Sequence, residues 1–130
     1  MNPSHMRVLI IDDEANIRRL TAVALEGMGH ETAEAENGDS ALRQLSASRF
    51  DAALLDWRLD DEDGIELLPK LLERRPGLGV IVFTGSATPA GEAAARRAGA
   101  AGFLAKPLSP AEVEQALDSL HISPIQPSPG

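Results

Sequence analysis

Short apolar runs alternate with segments of helical periodicity along the whole chain. Five runs predict buried strands, at Arg7–Ile11, Glu31–Ala35, Ala52–Leu55, Val80–Phe83 and Gly102–Ala105. A helix-like segment follows each run. This alternation is typical of a parallel sheet whose crossover connections are helices. The pattern therefore predicts an α/β fold with a five-stranded parallel sheet, doubly wound, and five helices.

The segments between the predicted strands carry apolar stripes that would pack helices on a sheet. The first three stripes consist of Ile17, Leu20, Ala24 and Met28, of Ala41, Leu42 and Leu45, and of Leu67, Leu68, Leu71 and Leu72. An alanine-rich segment predicts a helix over Glu92–Ala98, and Ser109 as N-cap predicts the last helix over Pro110–Leu120. Left-handed C-caps, which favour glycine, are expected at Gly29, Gly77 and Gly99.

The two ends of the chain differ in composition from its middle. Met1 to His5 precede a second methionine, Met6, which opens the first apolar run, so we interpret residues 1–5 as a cloning remnant. Residues 122–130 place three prolines among polar residues, which is typical of an extended linker or tail. We expect one globular domain over residues 6–121, an organisation consistent with a piece of a longer protein.

Charge and cysteine content argue against several classes of function. The net charge of −8 opposes a broad grip on nucleic-acid phosphates, which relies on clustered lysine and arginine. The chain has no cysteine, so it forms neither a disulfide nor a thiolate metal site. No apolar run approaches the roughly 20 residues of a membrane-spanning helix. We expect a cytoplasmic protein that binds neither membrane nor nucleic acid directly.

Polar side chains stand at the ends of four of the five predicted strands. Asp12 and Asp13 follow the first strand, Asp56 the third, Thr84 the fourth and Lys106 the fifth. Ligands of doubly wound sheets bind at the carboxyl ends of the strands, so these side chains should meet at one edge. Two carboxylates about 4 Å apart repel by about 4 kcal/mol at an effective dielectric of about 20. Lys106 and Mg²⁺ would offset this repulsion, and a carboxylate beside a metal can accept a phosphoryl group.

The same residues have plainer interpretations. Asp13 could cap the first helix, since aspartate is common at that position. Asp56 could belong to a surface turn, Thr84 could simply end a strand, and Lys106 could be an ordinary surface lysine. Gly64 is interpreted as setting the turn before the third helix. A solvated turn is the interpretation of the acidic run Asp60, Asp61, Glu62 and Asp63.

Four motifs in the chain resemble those of bacterial response regulator receiver domains, in the CheY-like superfamily. They are VLIIDDE (8–14), ALLDWRLDDEDGIELL (53–68), VIVFTG (80–85) and GFLAKP (102–107). With the rhythm of strands and helices, the resemblance covers Met6 to Leu120. It implies the flavodoxin-like strand order 2-1-3-4-5 and a phosphoprotein switch of two-component signal transduction, of the kind that regulates transcription.

The resemblance also implies roles for individual residues at the acidic edge. Asp56 would be the phosphoacceptor, taking a phosphoryl group from a sensor histidine kinase. Asp12, Asp13 and Asp56 would hold Mg²⁺, directly or through water, and the backbone carbonyl of Arg58 would complete the metal shell. Lys106 would pair with a phosphate oxygen.

Further implied roles concern the response to phosphorylation. The Thr84 hydroxyl would move toward the phosphate, and Phe103, at the aromatic switch position, would turn inward. The Lys106–Pro107 peptide would be cis. The face built from the fourth helix, fifth strand and fifth helix would bind a partner or form a homodimer. An output domain or downstream protein, for example a DNA-binding one, would follow Gly130. The domain would be no enzyme with an independent substrate, although it could catalyse its own phosphorylation and dephosphorylation.

Two positions that vary among such domains are Arg58 and Ser86 in this chain. Both side chains would flank the phosphoryl group. Our hypothesis is that the long, cationic Arg58 side chain partly covers an acyl phosphate on Asp56 and slows attack by water.

Three other functions compete with this interpretation. A phosphatase of the haloacid dehalogenase type would need a second aspartate two residues after its nucleophile, where Arg58 stands. A flavodoxin-type domain would need a hydroxyl-rich and glycine-rich phosphate loop after the first strand, where Asp12, Asp13 and Glu14 would repel phosphate. A receiver-like interaction module that is never phosphorylated remains the main alternative, and only chemistry separates it from a switch.

Overall fold

The computed structural model describes residues 5–59 and 62–122, with side chains described up to Leu120. Five strands form one parallel sheet in the order β2-β1-β3-β4-β5. Their bounds are Arg7–Ile11 for β1, Glu31–Ala35 for β2, Ala52–Asp56 for β3, Gly79–Thr84 for β4 and Gly102–Ala105 for β5. The predicted fold class and strand order are confirmed.

Four helices connect the strands, a fifth follows the last strand, and together they cover both faces of the sheet. They are Ala15–Gly27 (α1), Gly38–Ala47 (α2), Gly64–Arg74 (α3), Pro89–Ala98 (α4) and Pro110–Ile122 (α5). The segment between β3 and α3 also forms a small antiparallel hairpin, in which Arg58–Leu59 pairs with Glu62–Asp63. We call residues 57–63 the acceptor loop, although residues 60 and 61 lie outside the described part of the chain.

Alternate residues of each strand face opposite layers of the fold, as the two-residue period of a strand requires. In β1, Val8 and Ile10 join the core beneath α1 and α5, whereas Leu9 and Ile11 join the core beneath α2, α3 and α4. All four side chains are fully buried. Each such burial contributes about 1.5–3 kcal/mol to folding. The three inner strands, β1, β3 and β4, are apolar on both sides along most of their length because helices cover both faces, whereas the edge strand β2 carries Glu31 and Glu34.

Two of the three expected left-handed glycines are found, and the third expectation is wrong. Gly29 and Gly99 have φ angles of 97° and 116°, and Gly99 is the C-cap of α4. Gly77 is not among the glycines with positive φ. Helix α3 ends earlier, at Arg74, and its C-cap Arg75 is non-helical, with φ −140° and ψ 89°. The reason is Pro76, because the residue before a proline is sterically pushed out of the helical conformation.

Helix α4 begins at Pro89, three residues before the predicted start. Its N-cap is Thr88, whose hydroxyl accepts a hydrogen bond from the Gly91 N–H at 3.0 Å. Pro89 occupies the first helical position, where its missing N–H costs nothing. Helix α5 extends through Ile122, one residue into the predicted tail.

Some predictions concern parts of the chain that the structure does not describe. Among them are the remnant interpretation of residues 1–4, the solvated turn at Asp60 and Asp61, and the linker at residues 123–130. Among the helices that are described, none is both long enough and apolar enough to cross a bilayer.

Candidate functional site

The strand register brings the acidic residues of β1 and β3 together at the carboxyl edge of the sheet. Ile11 pairs with Leu55. Asp12 and Asp56, one residue further along each chain segment, therefore lie side by side at this edge. Because side chains alternate along a strand, Asp12 and Asp56 point to the same side of the sheet as the even-numbered residues before them, which face α1 and α5. Lys106 continues the same parity from Leu104 of β5. The two-residue period therefore directs all three side chains to one side of the edge.

Asp12, Asp13 and Asp56 form a compact acidic cluster. One carboxylate oxygen from each lies within 4.8 Å of the other two. Asp12 is fully buried and Asp56 is 4% exposed, whereas Asp13 is half-buried. Charges this close and this poorly hydrated repel one another strongly, so the cluster needs a compensating cation.

Lys106 supplies one positive charge to this cluster. Its Nζ donates a hydrogen bond to Asp56 Oδ2 at 3.2 Å and lies 3.9 Å from Asp12 Oδ2. It also lies 5.2 Å from the centre of the Phe83 ring, within the range of a cation–π contact. The Lys106–Pro107 peptide bond that follows is cis. Lys106 is thus held inside the cleft, which is inconsistent with an ordinary surface lysine.

Burial is the main influence on the acidity of the two innermost carboxyls. Desolvation raises the pKa of Asp12 from 3.8 to about 6, with the Glu14 N–H opposing the rise and the charge of Asp56 adding to it. Desolvation likewise raises the pKa of Asp56, although the Arg58 N–H and Lys106 both oppose the rise. A raised carboxyl pKa means that the surroundings stabilise the ionised form less well than water does. A site that binds a further cation would have this property before the cation binds.

The surroundings of Asp12 Oδ2 indicate whether a divalent cation fits the cluster. Asp12 Oδ1 accepts a hydrogen bond from the Glu14 N–H at 2.9 Å. Asp12 Oδ2 is buried and has no hydrogen-bond donor among the described residues. Buried oxygens are rarely left without a partner, and carboxylate oxygens are the ligands that Mg²⁺ prefers. The residues present therefore fit a hard divalent ion.

Thr84 and Phe103 lie on the other face of the same edge. Thr84 shares the parity of Val80 and Val82, which pack beneath α2, α3 and α4, and Phe103 packs against that same core. Phe103 pairs with Val82 across the strands, and Thr84 pairs with Ala105. The Thr84 hydroxyl accepts a hydrogen bond from the Ser86 N–H at 3.2 Å. Thr84 ends β4, and its buried side chain lines the cleft that contains Asp56.

The plainer interpretation of Asp13 is wrong. The N-cap of α1 is Glu14, and no side chain makes a capping hydrogen bond there. Asp13 instead contributes to the acidic cluster and lines the cleft together with Arg58 and Ser86. Gly64 has the predicted turn function, since a Cβ at this position would collide with the backbone carbonyl oxygen of Asp56.

The acidic run after Asp56 is not simply a solvated turn. Asp63 caps α3 by accepting the Ile65 N–H at 2.8 Å, and Glu62 accepts the Gly38 N–H of α2 at 2.8 Å. The sequence carries no local signal for the second contact, because its partners are far apart in the chain.

Arg18, which no sequence pattern singled out, contacts the turn that carries Asp12 and Asp13. Its Nη1 donates to the backbone carbonyl of Asp12 at 2.7 Å, and its Nε lies 3.3 Å from Glu34 Oε1. Arg18 therefore ties α1 and β2 to the turn that carries the acidic pair. Its place beside the apolar stripe residue Ile17 was the one available signal.

Comparison with known proteins agrees with this architecture. The family model for the response regulator receiver domain matches residues 8–118. The phosphate regulon transcriptional regulatory protein PhoB of Pseudomonas aeruginosa is 38% identical over 108 residues, which are 82% of this chain and 47% of PhoB. The transcriptional regulatory protein ResD of Bacillus subtilis is 36% identical over 107 residues, covering 82% of this chain and 44% of ResD. The chain thus spans about half the length of these two relatives.

Solved structures give the same result for the fold. A CheY-like receiver domain protein from Methanospirillum hungatei JF-1 superposes with a TM-score of 0.80 at 32% identity, covering 92% of this chain and 98% of that one. A response regulator from Burkholderia pseudomallei, solved with a phosphorylated aspartic acid and a calcium ion, has a TM-score of 0.81 at 29% identity, covering 90% and 70%. The family match over residues 8–118, the order of the strands and the similarity to these relatives lead to one conclusion. The chain belongs to the response regulator receiver domains of two-component systems.

Proposed function

We propose that this domain is a phosphorylation-dependent signalling switch that accepts a phosphoryl group on Asp56 from a sensor histidine kinase. The observation that carries the proposal is the junction of the acidic cluster with Lys106, whose Nζ lies 3.2 Å from Asp56 Oδ2. The phosphorylated aspartic acid of the Burkholderia pseudomallei relative supports it. Members of this family are signalling switches and not enzymes with an independent substrate.

Mg²⁺ is the proposed cofactor, held by Asp12, Asp13, Asp56 and the backbone carbonyl of Arg58. When bound, it would neutralise charge on the oxygens of the transferring phosphoryl group. Two features support this assignment: the buried Asp12 Oδ2 accepts no hydrogen bond from the described residues, and the pKa of Asp12 is raised.

In the proposed transfer, a carboxylate oxygen of Asp56 attacks the phosphorus atom of the donor. A phosphorus–oxygen bond forms, giving an acyl phosphate, and the phosphorus–nitrogen bond to the donor histidine breaks. The bonding electron pair returns to the imidazole. The Lys106 ammonium, already within hydrogen-bond distance of Asp56, would then pair with a phosphate oxygen. Water attack on the acyl phosphate would reset the switch.

The proposed response starts at Thr84, whose hydroxyl would leave the Ser86 N–H and bind the phosphate. Phe103, on the same face of the sheet, would turn inward, and the surface formed by α4, β5 and α5 would change shape. That surface would contact an output domain, a downstream protein or a second copy of the domain. We place this function in the cytoplasm, in a transcriptional regulator similar to PhoB and ResD.

The decisive experiment is intact-protein mass spectrometry after incubation with acetyl phosphate, with and without Mg²⁺. We expect wild type to gain one phosphoryl mass only with Mg²⁺, and Asp56→Asn, a near-isosteric control, to gain none. A folded wild-type protein that gains nothing from acetyl phosphate or from a phosphorylated histidine kinase would instead support the non-phosphorylated interaction module.

A further inference from the structure

The acceptor loop is tied to the neighbouring helix α2 by one side chain. Glu62 Oε1 accepts a hydrogen bond from the backbone N–H of Gly38 at 2.8 Å. Gly38 is the first residue of α2, so its N–H has no partner within the helix. The carboxylate also complements the positive end of the helix dipole. The contact joins the loop after β3 to the loop after β2, which lie two strands apart in the sheet.

The space for this contact exists because residue 38 is glycine. A Cβ on Gly38 would lie 2.6 Å from both carboxylate oxygens of Glu62, closer than any real Cβ approaches an oxygen. Gly38 has no positive φ angle, so the backbone conformation does not demand glycine here. The close approach of the Glu62 carboxylate does.

Glu62 is in turn coupled to the backbone beside Asp56. It pairs with Leu59 in the hairpin of the acceptor loop, and the next pair of that hairpin is Arg58 with Asp63. Leu59 is buried, with 6% of its surface exposed, so the first strand of the hairpin packs against the core. The base of the loop is closed by the Gly64 N–H, which donates to the Trp57 carbonyl at 2.6 Å. The Glu62 contact with Gly38 holds the second strand of the hairpin, Glu62–Asp63.

We propose that Glu62 is a positioning residue for the metal site, acting through Gly38 and the acceptor loop. By anchoring the hairpin to α2, it fixes the backbone of Arg58, whose carbonyl is the proposed metal ligand that this hairpin supplies. The inference rests on the proposed Mg²⁺-dependent function. Residues that orient metal ligands typically change metal affinity by about 10–100-fold when removed.

Three variants separate anchoring from charge. Glu62→Ala removes the acceptor and the charge together. Glu62→Gln removes the charge but retains an amide oxygen that can accept the Gly38 N–H. Gly38→Ala keeps the Glu62 charge and displaces its carboxylate, which is the flexible end of a side chain and can move. Asp39→Ala, at an exposed acid in the same first turn of α2, is the matched control.

The measurement is a MgCl₂ titration of each purified variant, followed by Trp57 fluorescence and independently by the melting temperature. A change in melting temperature at zero metal reports stability alone, whereas its dependence on Mg²⁺ concentration reports affinity. We expect Glu62→Ala and Gly38→Ala each to raise the half-saturating Mg²⁺ concentration about tenfold. The double variant should lose no more than either single one. Glu62→Gln and Asp39→Ala should remain within about twofold of wild type, since neither removes the anchor.

The outcomes are distinct. Equal weakening by Glu62→Gln and Glu62→Ala would overturn the proposal, because charge and not anchoring would then set the affinity. Wild-type affinity in both Glu62→Ala and Gly38→Ala would overturn it as well. If wild type responds to Mg²⁺ and gains a phosphoryl group but the variants have wild-type Mg²⁺ affinity, the role of Glu62 is overturned and the proposed function stands. A wild-type protein that does neither overturns the proposed function and this inference with it.

Discussion

The indole of Trp57 meets the ring of Phe103 edge to face, with ring centres 6.1 Å apart and planes inclined by 80°. Trp57 directly follows Asp56, and Phe103 lies in β5. The same indole also borders the first turn of α4, since a Cβ at Gly91 would lie 3.6 Å from it. The residue next to the proposed phosphoacceptor therefore contacts α4 and β5, two of the three elements of the surface proposed to change shape.

This aromatic contact should be measurable as a coupling energy. In a double-mutant cycle of Trp57→Leu and Phe103→Leu, we expect a coupling of about 1 kcal/mol in the free energy of unfolding, because edge-to-face pairs contribute beyond their buried area. Urea unfolding followed by circular dichroism measures it. A cycle of Trp57→Leu with Phe50→Leu, at the opposite end of the sheet, should be additive. Equal coupling in both cycles would remove the specific role of the Trp57–Phe103 pair.

Asp12 should make the metal-free domain less stable as the pH rises. Its folded-state pKa of about 6 exceeds its ordinary value of 3.8. The native state therefore holds the proton more tightly than the unfolded state, and the stability present below pH 4 is lost as the pH rises through 6. In EDTA, Asp12→Asn should raise the free energy of unfolding at pH 7.5 by up to about 3 kcal/mol.

The gain from Asp12→Asn should vanish at pH 4, where the wild-type carboxyl already carries its proton. Asp39→Asn, at an exposed acid, should have no comparable effect at either pH. Urea unfolding at both pH values provides the comparison, and an equal gain at pH 4 and pH 7.5 would show that desolvation of the Asp12 charge is not the cause.

Arg58 should protect the phosphorylated state. Its side chain is exposed and lines the mouth of the cleft that contains Asp56. We expect Arg58→Ala to shorten the lifetime of the acyl phosphate severalfold, because water reaches the phosphorus more easily. Intact-mass measurements after removal of acetyl phosphate give the lifetime. Arg97→Ala, at an exposed arginine of α4, serves as control, and a lifetime in Arg58→Ala equal to or longer than that of wild type would contradict the hypothesis.

His30 should contribute to folding and not to phosphorylation. Its side chain is fully buried. Its Nδ1 accepts the Met6 N–H at 3.0 Å, which leaves the proton on Nε2 to face Glu114 Oε1 at 3.3 Å. His30→Leu strands a buried N–H, and we expect a loss of about 1–3 kcal/mol in the free energy of unfolding.

The matched variant is Glu114→Gln, whose amide oxygen still accepts from Nε2 and should change stability by less than about 0.5 kcal/mol. Phosphorylation by acetyl phosphate should be normal in both variants. A loss in Glu114→Gln as large as that in His30→Leu would mean that the Glu114 contact, and not the Met6 hydrogen bond, is the stabilising one.

Much of the fold was readable from local pattern. Buried parallel strands are apolar over several consecutive residues, and helices that pack on a sheet have apolar residues every three to four positions. Most elements can therefore be predicted from their own segment of the sequence. Where the prediction failed, at Gly77 and at the start of α4, competing local effects decided. Pro76 ended α3 before Gly77 was reached, and the Thr88 cap with Pro89 began α4 early.

The strands, the helices and the polar residues at the strand ends follow from local pattern, because strand period and hydrophobic burial act within a few residues of each position. The chain already contains the even numbering by which Asp12, Asp56 and Lys106 point to one side of the sheet. Packing between distant elements, by contrast, sets the contact of Glu62 with Gly38, of Arg18 with the Asp12 carbonyl and of Trp57 with Phe103. Each of these contacts depends on how elements distant in sequence are aligned in register and packed, and no local pattern encodes that alignment.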